Sequence, residues 1–445
     1  MPHIPPAYRQ GYKGFALIQV VWGFFSGSKN WKFRGNFKPK PQKPVFHALW
    51  NRAASILNLI IRATERRGVF RNLRTVTVKT LTTSRPRPHV SIPLISAALL
   101  ACGWLGIARS EDVANAPAGL AHHQLIWSVV AFALLLGIAG TNYRAFGRWS
   151  YGALAAVIVA LLAVFLFPSV NGAHRWIRVA GVGFQPSEFA KLAVTLALAR
   201  YLAYRNIGER IGDLLPPLAI ALVPIWLVLK EPDLGTSQVF VPVLFAMLFA
   251  AGARRRHLMA LALIGVSALP ALWSQMSHDQ RSRVTALWQQ DEPDHTPTPA
   301  GYHLHQAKRM FALGGFWGSI LAGSDDDDQT IDRRVPEPQT DSIFCVIGER
   351  YGIAGCGLVL WLYVLLIGRG LAIAEQTREP FGRLIVVGVM ATIGFQVVIN
   401  TGMLVGLLPI TGLPLPLVSY GGSGLIANAM GLGLVMSIAA RPGYE

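Results

Sequence analysis

LLPPLAIALVPIWLVLKEPDLGTSQVFVPVLFAMLFAAGARRR (214–256) holds two apolar runs, 214–230 and 236–252, parted only by Glu231, Pro232, Asp233 and Gly235 close behind Lys230. About 20 apolar residues in a helix cross the hydrocarbon core of a bilayer. Each run approaches that length, and the Pro and Gly between them mark a tight turn. The stretch therefore reads as a helical hairpin that crosses a membrane twice, closed at its far end by three arginines, Arg254–Arg256.

Working outward, eight more such runs follow the same rule: 91–108, 122–140, 151–168, 187–204, 257–274, 344–367, 383–404 and 416–438. Composition agrees. The 445 residues are 52% apolar and only 14% charged, too few charges to cover a soluble protein of this size. The expected fold is an all-α integral membrane protein of about ten transmembrane helices, residues 91–438, with a short tail at 439–445.

Lys and Arg concentrate in cytoplasmic loops. Numbering the loops alternately puts Arg144, Arg148, Arg205, Arg210, Arg254–Arg256, Arg369, Arg378, Arg383 and Arg441 on one side, together with the N-terminal segment. The other side holds Glu111, Asp112, the Glu231–Asp233 turn, Asp325–Asp328 and the uncharged 409–416 stretch. Both termini are then cytoplasmic, and the one large extracellular loop is 275–342.

The formal net charge of +18 resembles a nucleic-acid signal only until it is located. Residues 1–90 hold 17 Lys and Arg against the single acid Glu65, so this segment carries +16 and the other 355 residues about +2. A polybasic stretch before a first span orients the protein and meets anionic headgroups, so membrane lipids rather than nucleic acid are the expected partner. The patch 14–25 is short and is followed by more basic sequence, unlike a cleaved signal peptide. Cys102, Cys345 and Cys356 lack the spacing of a zinc site or disulfide framework.

Several ionisable residues stand at membrane boundaries, where desolvation is costly and function is the default expectation. Arg175 and Arg178 break the charge rule on the outer side. They either bind an anionic ligand such as a pyrophosphate or snorkel to headgroups. Glu188 and Lys191, at i and i+3, share a helical face and can pair, although Pro186-Ser187-Glu188 also reads as an ordinary acidic helix start. Glu231 and Asp233 sit where partial desolvation gives a carboxylate the raised pKa of a general base, or simply form a turn. The aspartate run 325–328 reads as a solvated loop or as a divalent-cation site, and no other cofactor is indicated. The Gly-rich stretch Ser419–Gly424 permits close backbone approach or a broken helix lining a cavity.

Six stretches resemble the SEDS proteins of bacterial wall synthesis, the family of RodA, FtsW and SpoVE: HRWIRVAGVGFQPSEFAKLA (174–193), KEPDLGTS (230–237), QRSRVTALW (280–288), GYHLHQAK (301–308), VPEPQTDSIFCVIGERYG (335–352) and INTGMLVGLLPITGLPLPLVSYGGSGL (399–425). They run in the family's order and spacing across residues 90–438. The resemblance implies a glycosyltransferase that polymerises lipid II with release of undecaprenyl pyrophosphate, partnered by a class B penicillin-binding protein. It implies Asp233 as the essential catalytic aspartate and Arg175, Trp176, Arg178, Glu188 and Lys191 as the surroundings of the leaving pyrophosphate. His303, Gln306, Glu337, Thr340 and Asp341 would bind sugar and peptide from the loop, and Ser419 and Ser423 would line the site. The chain departs from the family at Gln339, where His is usual, at Ala312-Leu313 before Gly314-Gly315, and at Asp325–Asp328. PITGLPLP and QRSRV resemble the elongation-type member more than the division-type one. A lipid II flippase and a catalytically idle scaffold are the competing readings; residues gathered on one face and an intact KEPDLGTS turn weigh against them.

Overall fold

A computed structural model of the chain describes residues 90–113, 119–169, 173–179, 182–205, 211–287, 299–322 and 337–441. The basic segment up to residue 89 and the Asp325–Asp328 run lie outside the described residues. The chain order is α1 (Ser91–Val113), α2 (Leu120–Gly140), α3 (Tyr143–Ala163), β1 (Ile177–Val179), β2 (Val182–Phe184), α4 (Pro186–Ala203), α5 (Leu215–Lys230), α6 (Leu234–Ala250), α7 (Arg255–Gln275), α8 (His278–Thr285), α9 (Pro299–Gly314), α10 (Ser319–Ala322), α11 (Ile343–Gln376), α12 (Pro380–Leu404) and α13 (Gly422–Ala440).

Among the described residues, eight helical stretches are long and apolar enough to cross a membrane: α1, α2, α3, α5 together with the 3-10 turn before it (Gly212–Lys230), α7, α11, α12 and α13. The expectation of ten also included α4 and α6, and each falls short for its own reason. The helix α6 is apolar but only 17 residues long. The 18 residues of α4 include Glu188, Lys191 and Arg200, and the first two of these are turned inward and buried. Prolines inside α5, α6 and α7 are tolerable because neighbouring helices can satisfy the freed carbonyls.

The structure corrects four sequence expectations. The fold is not purely helical, because β1 and β2 pair antiparallel with Val179 opposite Val182. The run 416–438 is helical only from Gly422; residues 411–415 are irregular and Pro416–Tyr420 form turns and bends. The run 344–367 belongs to a helix reaching Gln376, broken at Gly352 with φ 64°. Arg144 and Arg148 lie in the first turns of α3, which Asn142 caps by accepting from Arg144 N at 3.1 Å, and not in a loop.

The bundle is built around α12 and α13, which are about two-thirds buried, while α7 lies on the rim, almost wholly exposed. At one end, the Tyr143 hydroxyl donates to Glu379 Oε2 at 2.6 Å and Arg144 Nε to the same oxygen at 2.8 Å, while Arg441 donates to the Gly140 and Thr141 carbonyls. At the other end, α1 presses on the turn before α13. A Cβ on Gly103 would collide with the Val418 carbonyl. Gly103→Ala is therefore expected to cost about 1–3 kcal/mol, seen as a lower thermal midpoint in detergent; an unchanged midpoint would refute the close contact.

Candidate active site

The end of the bundle opposite Glu379 gathers the turns that the sequence marked. The turn Glu231–Asp233 arises because α5 ends at Lys230 and α6 starts four residues later, with Asp233 as its N-cap. Asp233 Oδ1 accepts from Thr236 N at 3.1 Å and Oδ2 from the Thr236 hydroxyl at 2.8 Å. The capping geometry expected of a turn aspartate is thus real. Asp233 is 4% exposed.

Arg175, just before the hairpin, donates from Nε to the Glu231 carbonyl at 3.3 Å and from Nη2 to the Pro232 carbonyl. Gln185, the N-cap residue of α4, places Nε2 3.5 Å from Asp233 Oδ2 and donates its backbone N–H to Ser423 Oγ at 3.1 Å. Ser423 in turn donates to Gly183 O at 3.3 Å, and Trp176 lies over Gly183. The hairpin, the α5–α6 turn and the start of α13 are therefore joined around Asp233. Arg178, on β1, is exposed.

Glu188 and Lys191 pair as their spacing suggested, Lys191 Nζ donating to Glu188 Oε1 at 2.7 Å, with both side chains buried. Glu188 Oε2 has no hydrogen-bond partner. The pair lines a small cavity with Thr195, Thr392 and Asn428, of about 20 Å³, enough for a water.

The loop residues come to the same end by a different route. The first turn of α6 packs on residues 411–413, where a Cβ on Gly235 would lie 2.7 Å from Thr411 O. Gly412, at φ 70°, faces Asp341, with Oδ2 3.3 Å from where its Cβ would sit. Thr340 donates to Asp341 Oδ1 at 3.0 Å. Ser419 holds the loop by donating to Thr340 O and accepting from Leu415 N at 2.7 Å. Tyr420 N donates to Gln339 O at 2.8 Å, so the departure at Gln339 is held through its backbone. His303 and Gln306, both buried, line up on α9, with His303 Nε2 3.2 Å from Ser342 Oγ and Gln306 donating to Tyr302 Oη at 3.0 Å. Glu337 is exposed.

Three carboxyls outside the helices are pushed up. Burial chiefly raises Asp341, opposed by Thr340, backbone donors and Arg283. Partial desolvation of its carboxyl and then the Asp341 charge raise Glu337, against His303. Glu231, 0% exposed with neither oxygen hydrogen-bonded, is pushed up to about 8 by burial and then by Asp233, with Arg175 opposing. A folded-state pKa above the ordinary glutamate value of 4.5 means that the folded chain keeps a proton the unfolded chain has lost. Its stabilising effect is full below about pH 4.5, declines as pH rises, and is gone above about pH 8. At about 1.4 kcal/mol per pKa unit, several kcal/mol are at stake. Glu231→Gln is expected to flatten the fall in thermal midpoint between pH 5 and about 8; an unchanged slope would assign it elsewhere.

Sequence reasoning missed Gln185, Asn400 and Arg283. Gln185 stood inside a quoted motif but read only as the residue before a helix. Asn400 donates to Asp341 O at 2.9 Å and Leu413 O at 2.6 Å, tying α12 to both loops. The three cysteines are free, and no cluster fit for a metal occurs among the described residues.

Comparison with known proteins gives the same direction. The family model described as cell cycle protein, FtsW/RodA/SpoVE, matches residues 91–442. Peptidoglycan glycosyltransferase MrdB of Escherichia coli (strain K12) is 37% identical over 351 residues, 78% of this chain and 91% of that one. Stage V sporulation protein E of Bacillus subtilis (strain 168) is 31% identical over 375 residues, 82% of this chain and 100% of that one. A solved structure described as structural coordination of polymerization and crosslinking by a peptidoglycan synthase complex is similar at TM-score 0.67 and 31% identity, covering 79% of this chain and 97% of that one. The rod shape determining protein RodA of Thermus thermophilus is similar at TM-score 0.59 and 28% identity, over 80% and 97%. With its bundle, its motif-bearing turns and a match spanning most of its length, the chain belongs to the FtsW/RodA/SpoVE family.

Proposed function

We propose that this chain is a peptidoglycan glycosyltransferase that joins lipid II units into β-1,4 glycan strands and releases undecaprenyl pyrophosphate. The observation that carries the reading is the 37% identity to a peptidoglycan glycosyltransferase over most of both chains, with the matching turns gathered at one end of the bundle. The proposed topology has ten crossings, α1–α7 and α11–α13, with both termini and the basic 1–90 segment cytoplasmic and the site facing outward; the loop charges support it.

In the proposed mechanism the GlcNAc 4-hydroxyl of one lipid II attacks C1 of the MurNAc on another. Asp233 takes the hydroxyl proton, the new C1–O4 bond forms, and the C1–O bond to pyrophosphate breaks with its electron pair on the leaving group. One displacement inverts the anomeric centre, so no covalent intermediate is needed. Thr236 and Gln185 fix the Asp233 carboxylate; a carboxylate has about four acceptor positions, so one remains for a substrate hydroxyl. Arg175 and the exposed Arg178 are the cations proposed to meet the pyrophosphate. Lys191 supports them from within, since Glu188 takes only one of its three donors. Trp176, His303, Gln306, Glu337, Thr340, Ser419 and Ser423 shape the cleft.

One observation favours a second assignment of the base. Asp341 is half-buried and its pKa is raised by burial, whereas Asp233 is almost closed off. In that reading Asp341 takes the proton and Asp233 orders the turn. The partner proposed is a class B penicillin-binding protein, supported by the likeness to a synthase complex, and the role proposed is elongation, with a division role the alternative. Polymerisation of purified lipid II by the reconstituted chain, with and without such a partner, tests the activity. Transbilayer movement of lipid II without polymer would put a flippase in its place.

A further inference from the structure

Among the described residues, the turn between α9 and α10 exposes aromatic surface that the site does not use. Phe316 is 58% and Trp317 62% exposed, their rings T-shaped at 4.8 Å, with Ile320 beside them on α10 at 47%. A mobile loop would carry such groups at random, but this turn is fixed. Gly318 N donates to Gly314 O at 2.7 Å, and the turn is bonded to the break in α11 by Ile353 N to Gly315 O at 3.1 Å and Ala354 N to Phe316 O at 3.4 Å. Backbone approaches at Gly314, Gly318 and Gly352 leave no room for a Cβ, so the two segments meet main chain to main chain. Packing inward is therefore not what holds Phe316 and Trp317; they are presented outward on a rigid base.

The surface they join supplies the identity of what covers them. From the break onward α11 exposes Ile353, Leu358, Trp361, Val364 and Leu371. From Ile353 to Leu371, at about 1.5 Å per residue, is about 27 Å, close to the roughly 30 Å of a hydrocarbon core. Ile353 then stands at the hydrocarbon boundary, and the turn bonded to it stands at headgroup level, where the amphipathic Trp ring is most favoured. We propose that the Phe316–Trp317 turn inserts into the interfacial layer of the phospholipid bilayer and anchors α9, with His303 and Gln306, to the membrane surface. The proposal rests on the reading of α11 as a membrane span.

The test places a nitroxide on Phe316→Cys, Trp317→Cys and Trp361→Cys of the full chain in phosphatidylethanolamine–phosphatidylglycerol vesicles, with the signal of the labelled native chain subtracted. Collision with dissolved oxygen and with a water-soluble nickel chelate is compared with that of free nitroxide. The expected result is an oxygen-to-nickel ratio at 316 and 317 several-fold above free nitroxide and below that at 361. A ratio equal to free nitroxide overturns the proposal by placing the turn in water. Low collision with both reagents overturns it by showing a protein cover, from this chain or another copy. A water-like value at 361 overturns the spanning reading itself, and the proposal with it, which sets that failure apart. Should the cysteine variants not fold, Trp317→Phe keeps an aromatic ring: the emission it removes from the native chain is expected to be quenched by brominated acyl chains, and unquenched emission refutes insertion.

Discussion

Asp233→Asn is expected to lower glycan polymerisation by about 10²–10⁴-fold, the range of a lost general base, while the bundle stays folded. Asparagine caps helices about as well as aspartate, so the bond from Thr236 N can be kept and only the proton-accepting carboxylate is lost. Asp233→Ala removes the cap as well and should cost about 1 kcal/mol more in stability. Asp341→Asn is the decisive companion. If Asp233 is the base, Asp341→Asn weakens turnover less and leaves the pH profile of kcat in place. If instead Asp341→Asn abolishes polymer and Asp233→Asn retains it, the base is Asp341 and Asp233 is a capping residue. Measurement on folded, reconstituted chains, with the partner present throughout, separates these results from loss of assembly.

The second large effect concerns a pair that the sequence did not single out. Arg109 on α1 meets Glu349 on α11 through Nε to Oε2 at 3.3 Å and Nη2 to Oε1 at 3.2 Å, with side chains 7% and 0% exposed. Removing one member of a buried pair strands the other charge and costs about 3–5 kcal/mol. Arg109→Met alone is therefore expected to unfold the chain well below the native midpoint, and Arg109→Met with Glu349→Leu to recover most of that loss, because apolar groups of similar size often replace a buried pair at little cost. Additive losses in a double-mutant cycle in detergent would show that the two charges do not depend on each other.

Local readings fared according to how local their cause was. The i,i+3 pairing of Glu188 and Lys191 was legible because helix geometry alone brings such residues together. The start of α4 at Pro186 and the tight turn at Glu231–Asp233 were legible for the same reason. The β-hairpin was not, since nine residues from Trp176 to Phe184 carry too little alternation to outweigh a helical background. The start of α13 was misplaced because Pro416–Tyr420 is as apolar as a helix, while its conformation is set by bonds to Gln339 and Thr340 some 80 residues earlier.

By itself the sequence determined the membrane as solvent, most of the apolar helices and the motif-bearing turns, since hydrophobic run length and Pro or Gly punctuation act within a few residues. Only the tertiary structure decided which turns meet: that Gln185 reaches Asp233, that Asn400 ties Asp341 to Leu413, and that Arg109 finds Glu349 across 240 residues. The physical reason is that buried polar groups must find partners wherever the packed helices bring them, and no local pattern in the chain encodes that choice.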